Sequence, residues 1–313
     1  MDLIERRPEG LYCPAGDFYI DPMRKVDRAL VTHGHSDHAA RGMGSYLCSA
    51  GTLPVIRHRL GRITAEGIAY GEKRRIGDVV VSFHPAGHVP GSAQIRIEGA
   101  SGVWVAAGDY KVERDALCEA FEPVSCDTFI TETTFGLPIF QWSPEAEVLA
   151  ALRDWWAENV ALGLTSVVLA YSFGKAQRLL AGLAALDLPG ALATHPTVEA
   201  MTEVLRGAGY ALPPTVCGTV PKGALVVATP QGMASDWALG LGPARVAAAS
   251  GWMALAARRR GVDRAFVLSD HADWGGLNTA VEATGAGRVI CLHGYRAEYA
   301  GWLRGRGYLS EAW

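Results

Sequence analysis

Three imidazoles and a carboxylate fall within six residues of the segment ALVTHGHSDHAARG: His33, His35, Asp37 and His38. Neutral imidazole and ionised carboxylate are the ordinary ligands of Zn²⁺ and ions like it, and such a cluster has no packing motive on a polar loop. His33 and His35, two apart on a loop leaving an apolar run, can reach one ion, while Asp37 and His38 point to a second. Two ions about 3.5–4 Å apart need roughly four ligands each, one of them a shared carboxylate. The segment therefore requires partners from elsewhere in the chain.

Candidates exist. His88 stands in PAGHVPGS, Asp109 in AAGDY and His293 in CLHGY, each beside a glycine that lets the backbone bend sharply. Alone, His88 reads equally well as a structural histidine and Asp109 as a turn residue. Position unites them: with His33, Glu132 and His271, each lies at or just beyond the C-terminal end of a short apolar run. Strand ends meet on one edge of a sheet, so residues distant in sequence can converge there. His58, His84 and His195 lack this context and read as structural. A pair of ions held in this way would activate water and neutralise charge on a phosphate.

The elements that must position these groups are legible as apolar runs: RALVTH, DVVVSFHPAGH, AQIRIEG, GVWVAAGDY, DTFITET, TSVVLAYS, ALVVATP, RAFVLSDH and RVICLHGY. They are rich in Val, Ile and Leu and read as buried strands. Between them, SPEAEVLAALRDWWAENVALG reads as a helix with Ser143 as N-cap, Pro144 as its first residue and Gly163 as its stop. GKAQRLLAGLAAL and PTVEAMTEVLRGAG read as further helices. From about 138 to 266, strand alternates with helix in the manner of a parallel α/β unit.

The 313 residues, 49% hydrophobic and 19% charged, suffice for one large α/β domain with an insertion, or for two domains. A net charge of −3 gives no global basic field, so a polyanionic substrate must be held by local charge or metal. The six cysteines form no CxxC pair, which argues against a disulfide framework and a cysteine zinc site. The charged N-terminal segment lacks the apolar core of a signal peptide and no apolar run reaches membrane-spanning length, so a cytoplasmic protein without membrane contact is expected.

The segment THGHSDH resembles the HxHxDH signature of the metallo-β-lactamase fold hydrolases. The resemblance implies an α/β fold, an αββα sandwich, in which His33, His35 and His88 hold one ion, Asp37 and His38 hold the other, and Asp109 bridges. It also implies that Asp21, in FYIDP, is the buried carboxylate that orients the metal loop. Later motifs are similar to the nuclease branch that carries a β-CASP insertion: PAGHVPGSAQIRI, ITETTFG with Glu132, LSDHADW with His271 and CLHGY with His293. By that likeness His293 completes the second site. His271, oriented by Glu132, serves as general acid for the leaving oxygen, with Asp37 in the catalytic set.

The resemblance places the metallo-β-lactamase domain at 1–137 and 267–313, interrupted by a β-CASP domain at 138–266 that clamps substrate over the metals. Ser92, together with Ser172, Gly174 and Lys175 at a helix N-terminus and Arg258 in ALAARRRG, are the candidate substrate contacts. Trp252 and Trp274 are candidate stacking residues. Nearly the whole chain resembles the bacterial ligase-associated DNA exonucleases. That implies a metal-dependent exodeoxyribonuclease with two divalent ions, Zn or Mn, a DNA substrate, and a functional link to a DNA ligase and a helicase in repair. A ribonuclease of the same mechanism is the nearest alternative, since His293 at the third motif is shared with RNA-processing relatives. A small-molecule metallohydrolase is a more distant one, with no need for Glu132, His271 or the insertion.

Overall fold

The structure, a computed structural model, describes residues 2–255 and 261–313. The chain opens with strands β1 (Glu5–Arg7), β2 (Gly10–Cys13), β3 (Phe18–Ile20), β4 (Arg28–Leu30) and β5 (Ser45–Ser49), then helix α1 (Thr52–Leu60) and β6 (Ala65–Ile68). Next come β7 (Arg74–Ile76), β8 (Val79–Pro85), β9 (Ala93–Gly99), β10 (Gly102–Ala106) and β11 (Thr128–Glu132). The middle of the chain runs α2 (Glu145–Ala161), β12 (Thr165–Leu169), α3 (Lys175–Leu183), β13 (Leu192–Thr194) and α4 (Pro196–Gly207). It continues with β14 (Val216–Cys217), β15 (Leu225–Ala228), α5 (Pro230–Met233), β16 (Ala244–Ala249) and β17 (Arg264–Phe266). The tail supplies α6 (Trp274–Thr284), β18 (Arg288–Leu292), α7 (Arg296–Gly305) and β19 (Leu309–Ala312).

These elements divide into two compact units. The first is Met1–Arg114, Cys118–Gln141 and His271–Trp313; the second is Asp115–Leu117 and Trp142–Asp270.

In the first unit, β1 to β6 form one sheet in sequence order, and β19-β18-β11-β10-β9-β8-β7 form another. Strand periodicity of two explains how they layer. Leu30 and Leu47 of the first sheet share a core with Val81, Phe83, Ile95, Ile97 and Ile130 of the second. Their sequence neighbours face the other way. Ala29, Tyr46 and Cys48 pack on Ile56 and Leu60 of α1, while Val105, Phe129, Val289 and Cys291 pack on Leu277, Val281 and Leu303 of α6 and α7. The order of layers is helix, sheet, sheet, helix.

The second unit holds a third sheet in the order β14-β13-β15-β12-β16-β17, every adjacent pair parallel. A parallel sheet covered on both faces reads as unbroken apolar sequence, as in TSVVL and LVVA. Val168, Leu225 and Val227 pack on Leu152 and Trp156 of α2 and Leu179 of α3. Val167, Val226 and Ala228 face an opposite cluster with Leu241. Helix α2 begins one residue later than the sequence suggests: Pro144, extended at ψ 132°, is its N-cap, and Ser143 lies outside the helix.

Candidate metal centre

Strands of two sheets deliver the first unit's histidines. The His33–His38 loop follows β4 of the first sheet, whereas His88, Asp109, Glu132 and His293 lie at or just beyond the ends of β8, β10, β11 and β18 of the second. Those four strands run parallel to one another, because β9 is antiparallel to both β8 and β10 and β11 is parallel to both β10 and β18. His271 opens the last segment of the first unit, three residues before α6. Within the first unit, the convergence expected on one sheet edge is therefore a convergence from two sheets.

One ligand atom from each of His33, His35, His88 and Asp109 lies within 4.8 Å of the others. His35 Nδ1 stands 3.0 Å from His33 Nε2 and 3.1 Å from His88 Nε2. Asp109 Oδ2 is 3.6 Å from His33 Nε2, 3.8 Å from His88 Nε2 and 3.3 Å from His38 Nε2, so one oxygen sits between the trio and His38. The His293 ring is 6.0 Å from that of His38. Asp37 is the outlying member, its side chain 72% exposed and its Oδ2 3.9 Å from His38 Nε2.

Electrostatics separates these groups. Burial, reinforced by His38, His88 and His35, holds the His33 pKa well below its ordinary value, so its ring stays neutral and free to donate a lone pair. Burial opposes charge on His38 too, but Asp109 and Asp21 overcome it and raise its pKa well above the ordinary value. Asp109 is likewise held well below the carboxylate range: burial alone would raise it, and His38 and His271 outweigh burial. Converging imidazole nitrogens around a buried, ionised carboxylate fit a divalent ion, and a carboxylate oxygen shared with His38 fits a second one beside it.

The support behind the cluster is specific. Asp21, at a left-handed φ of 45°, accepts from Thr32 N at 2.8 Å, Thr32 Oγ1 at 2.6 Å and His38 Nδ1 at 2.7 Å. Gly108 at φ 60° brings the segment after β10 against Thr32, since a Cβ there would lie 2.6 Å from Thr32 Cβ. Sequence reasoning missed Arg59, whose Nη1 donates to Gly34 O at 2.7 Å and to Ala39 O at 3.4 Å, bracing the His33–His38 loop from α1. It missed Glu119 and Thr52 as well, which hold Gly91 N at 3.1 Å and Gly91 O at 2.8 Å. These contacts are to backbone and leave no local pattern.

Ser92, expected as a substrate contact, is placed behind the His88 loop. It is 1% exposed, and its Oγ accepts from the amides of His88 and Val89 at 3.1 and 3.2 Å, so it shapes the His88 loop.

Glu132 and His271 are brought together. Both carboxylate oxygens lie 2.9 Å from His271 Nδ1, and Oε1 also accepts from Tyr110 N at 3.0 Å. The His271 ring stands 4.6 Å from the His88 ring. His84 pairs with Glu122 and His195 caps α4, both in structural parts.

The candidate anion site in the second unit is closed by its own side chains. Gly174 N donates to Gln177 Oε1 at 2.9 Å, Gln177 Nε2 donates to Ser172 O at 3.0 Å, and buried Lys175 Nζ donates to Asp270 Oδ1 at 2.8 Å. Gly174 and Lys175, expected to meet a substrate anion, thus have partners within the second unit. A buried ammonium must be paired, and Asp270 is its partner. Trp274 packs edge-on against Tyr299 and Trp302 in the first unit. Arg258 lies outside the described residues.

No protein-family model matches the chain. It is 37% identical over 312 residues to a probable DNA ligase of Opitutus terrae, covering 97% of this chain and 30% of that protein. It is 29% identical over 143 residues to RNase aCSPSF2 of Saccharolobus solfataricus, covering 45% of this chain and 29% of the relative. A Thermus thermophilus ribonuclease is 28% identical over 149 residues, with 38% and 34% of the two chains covered. The chain thus spans about a third of the length of the curated relatives it matches. A solved structure of a protein of unknown function from Enterococcus faecalis shares the fold, with a TM-score of 0.62 at 13% identity over 87% of this chain and 76% of that one. Among the described residues, no helix is long and apolar enough to cross a membrane.

Proposed function

We propose that this chain is a metal-dependent phosphodiesterase of the metallo-β-lactamase fold with a β-CASP insertion, acting as an exonuclease on DNA in the cytoplasm. The helix–sheet–sheet–helix unit is assigned as the metallo-β-lactamase domain and the parallel α/β unit as the insertion. The reading rests above all on one observation. A buried carboxylate, Glu132, grips His271 with both oxygens beside a convergent His/Asp cluster. A simple hydrolase site has no use for that pair, whereas cleavage of a phosphodiester requires a proton for the leaving oxygen. The likeness to two ribonucleases and a probable DNA ligase supports a nucleic-acid substrate.

His33, His35 and His88 would hold one divalent ion, Asp37, His38 and His293 the other, with Asp109 between them. Two ions such as Zn²⁺ or Mn²⁺, when bound, supply an activated water and neutralise charge on the phosphate. The chain's residues do the rest. Asp21 fixes the His38 ring through Nδ1, leaving Nε2 for coordination. Glu132 fixes the His271 tautomer with Nδ1 donating. As the water oxygen bonds to phosphorus and the phosphorus–oxygen ester bond breaks, the His271 Nε2 proton passes to the leaving oxygen.

DNA is favoured by the match over nearly the whole chain to a probable DNA ligase. A functional association with ligase and helicase activities in repair follows as part of the proposal. The RNA reading is favoured by the ribonuclease relatives. Matched DNA and RNA oligonucleotides, labelled at either end and incubated with Zn²⁺- or Mn²⁺-loaded protein, decide between them. Preferential stepwise shortening of DNA is expected, and RNA-only cleavage would replace the leading reading with the second.

A further inference from the structure

Strands β11 and β18 run side by side in parallel, with Glu132 opposite Leu292 at their ends. One residue further on, the ladder stops. His293 takes a left-handed φ of 59°, outside the range of a β-strand, and Gly294 follows at φ 43°. His293 is exposed, so its ring is not aimed by burial in a core. The turn that carries it must do so.

That turn is fastened to one residue, Thr133, which is fully buried. Thr133 Oγ1 donates to Leu292 O at 2.9 Å and to His293 O at 2.7 Å, so one hydroxyl serves the carbonyls on either side of the His293 α-carbon. Its own carbonyl accepts from Tyr295 N at 2.9 Å and from Gly136 N at 3.1 Å. A Cβ at Gly294 would lie 2.3 Å from that oxygen, so only glycine lets the turn close this near. Holding both peptide planes that flank His293 fixes the direction of its Cα–Cβ bond. Successive residues of an extended segment send their side chains to opposite sides. Glu132 accordingly meets His271, while its neighbour Thr133 meets the His293 turn.

We propose that Thr133 is a positioning residue for the second divalent ion: by fixing the two peptide planes around His293, it presents that imidazole as a ligand. Adjacent residues at the end of β11 then aim both the His271 proton donor and the His293 ligand. The inference rests on the reading that His293 serves the second ion, and adds the residue that sets its place.

The test is competition titration of the full chain with Zn²⁺ against a chromophoric chelator, with the absorption spectrum of Co²⁺-loaded protein as a second readout. Thr133→Val, similar in shape but without the hydroxyl, is expected to weaken the second ion about tenfold or more and to alter the Co²⁺ spectrum, with the first ion held as in the parent. Thr133→Ala carries the same expectation should the valine variant not fold. Thr133→Ser, which keeps the hydroxyl, is expected to restore both readouts. In a His293→Ala background the loss of the hydroxyl is expected to change metal affinity less than about twofold, since no imidazole is left to aim. Parent-like affinity for both ions without the hydroxyl, no rescue by Thr133→Ser, or an equal loss with and without His293 would each overturn the positioning role and leave the two-metal reading standing. A parent chain that binds fewer than two ions overturns both.

Discussion

Glu132 and His271 stand 139 residues apart in sequence, yet both oxygens of the Glu132 carboxylate lie 2.9 Å from a single nitrogen of His271. Glu132 is 2% exposed. A buried carboxylate that spends both oxygens on one imidazole fixes the ring's orientation and its tautomer together.

Replacing either member should therefore damage turnover and spare metal binding. His271→Ala is expected to lower kcat by about 10²–10⁴, the usual worth of a positioned general acid. Glu132→Gln is expected to lower it as well, because the ring loses the carboxylate that orients it. Steady-state kinetics with metal analysis on the same preparations checks this. Unaltered kcat in His271→Ala would remove it from the mechanism.

The cluster should bind two divalent ions per chain. Dialysis against a chelator is expected to abolish nuclease activity, and Zn²⁺ or Mn²⁺ to restore it. His88→Ala and Asp109→Asn are expected to lower metal content measured by elemental analysis, and Asp37→Ala to abolish activity. Full occupancy and full activity in all three variants would dismantle the assignment.

Arg59 should act on the metal through the loop it braces. Its Nη1 holds Gly34 O and Ala39 O, the two ends of the segment that carries His35, Asp37 and His38. Outer-shell supports of this kind are worth about 10–100-fold in metal affinity. Competition titration against a chromophoric chelator is expected to show that loss for Arg59→Ala and partial recovery for Arg59→Lys, which keeps one donor.

Acid stability should carry the mark of Glu199 in the second unit. Burial would raise its pKa, but hydrogen bonds from Thr194, Thr215 and Arg206 lower it instead. A carboxylate whose folded pKa lies below its unfolded value of about 4.3 contributes stability that is complete above the unfolded pKa. That stability disappears as pH falls through the folded value. Thermal melts at pH 7 and below pH 4 are expected to show Glu199→Gln less stable than the parent at neutral pH, with the difference shrinking in acid. A constant difference in Tm would assign the loss to geometry alone.

What the sequence revealed and what it concealed follow from the reach of each signal. His33, His35 and His38 announce themselves by spacing within one loop, and Glu132, His88, Asp109 and His293 by standing where apolar runs end. Arg59, Thr52 and Glu119 act through backbone amides and carbonyls, and any residue type with a suitable donor or acceptor looks the same in sequence. Lys175 shows a different limit. At a helix start it looks like an anion receptor, but its partner Asp270 lies 95 residues away, and only the fold reveals that its charge is already satisfied. The α2 start slipped by one residue because Ser143 and Pro144 are both good initiators.

The first unit is assembled from segments on either side of the second, and this imposes a schedule on synthesis. When the ribosome has made residues up to Gln141, the larger sheet still lacks β18 and β19, and β11 has no neighbour on that side. Almost all of the second unit comes from one continuous run, so it can close as soon as Asp270 has emerged. His271 and His293 follow the second unit in sequence, so neither can join Glu132 and His38 until that unit has been made.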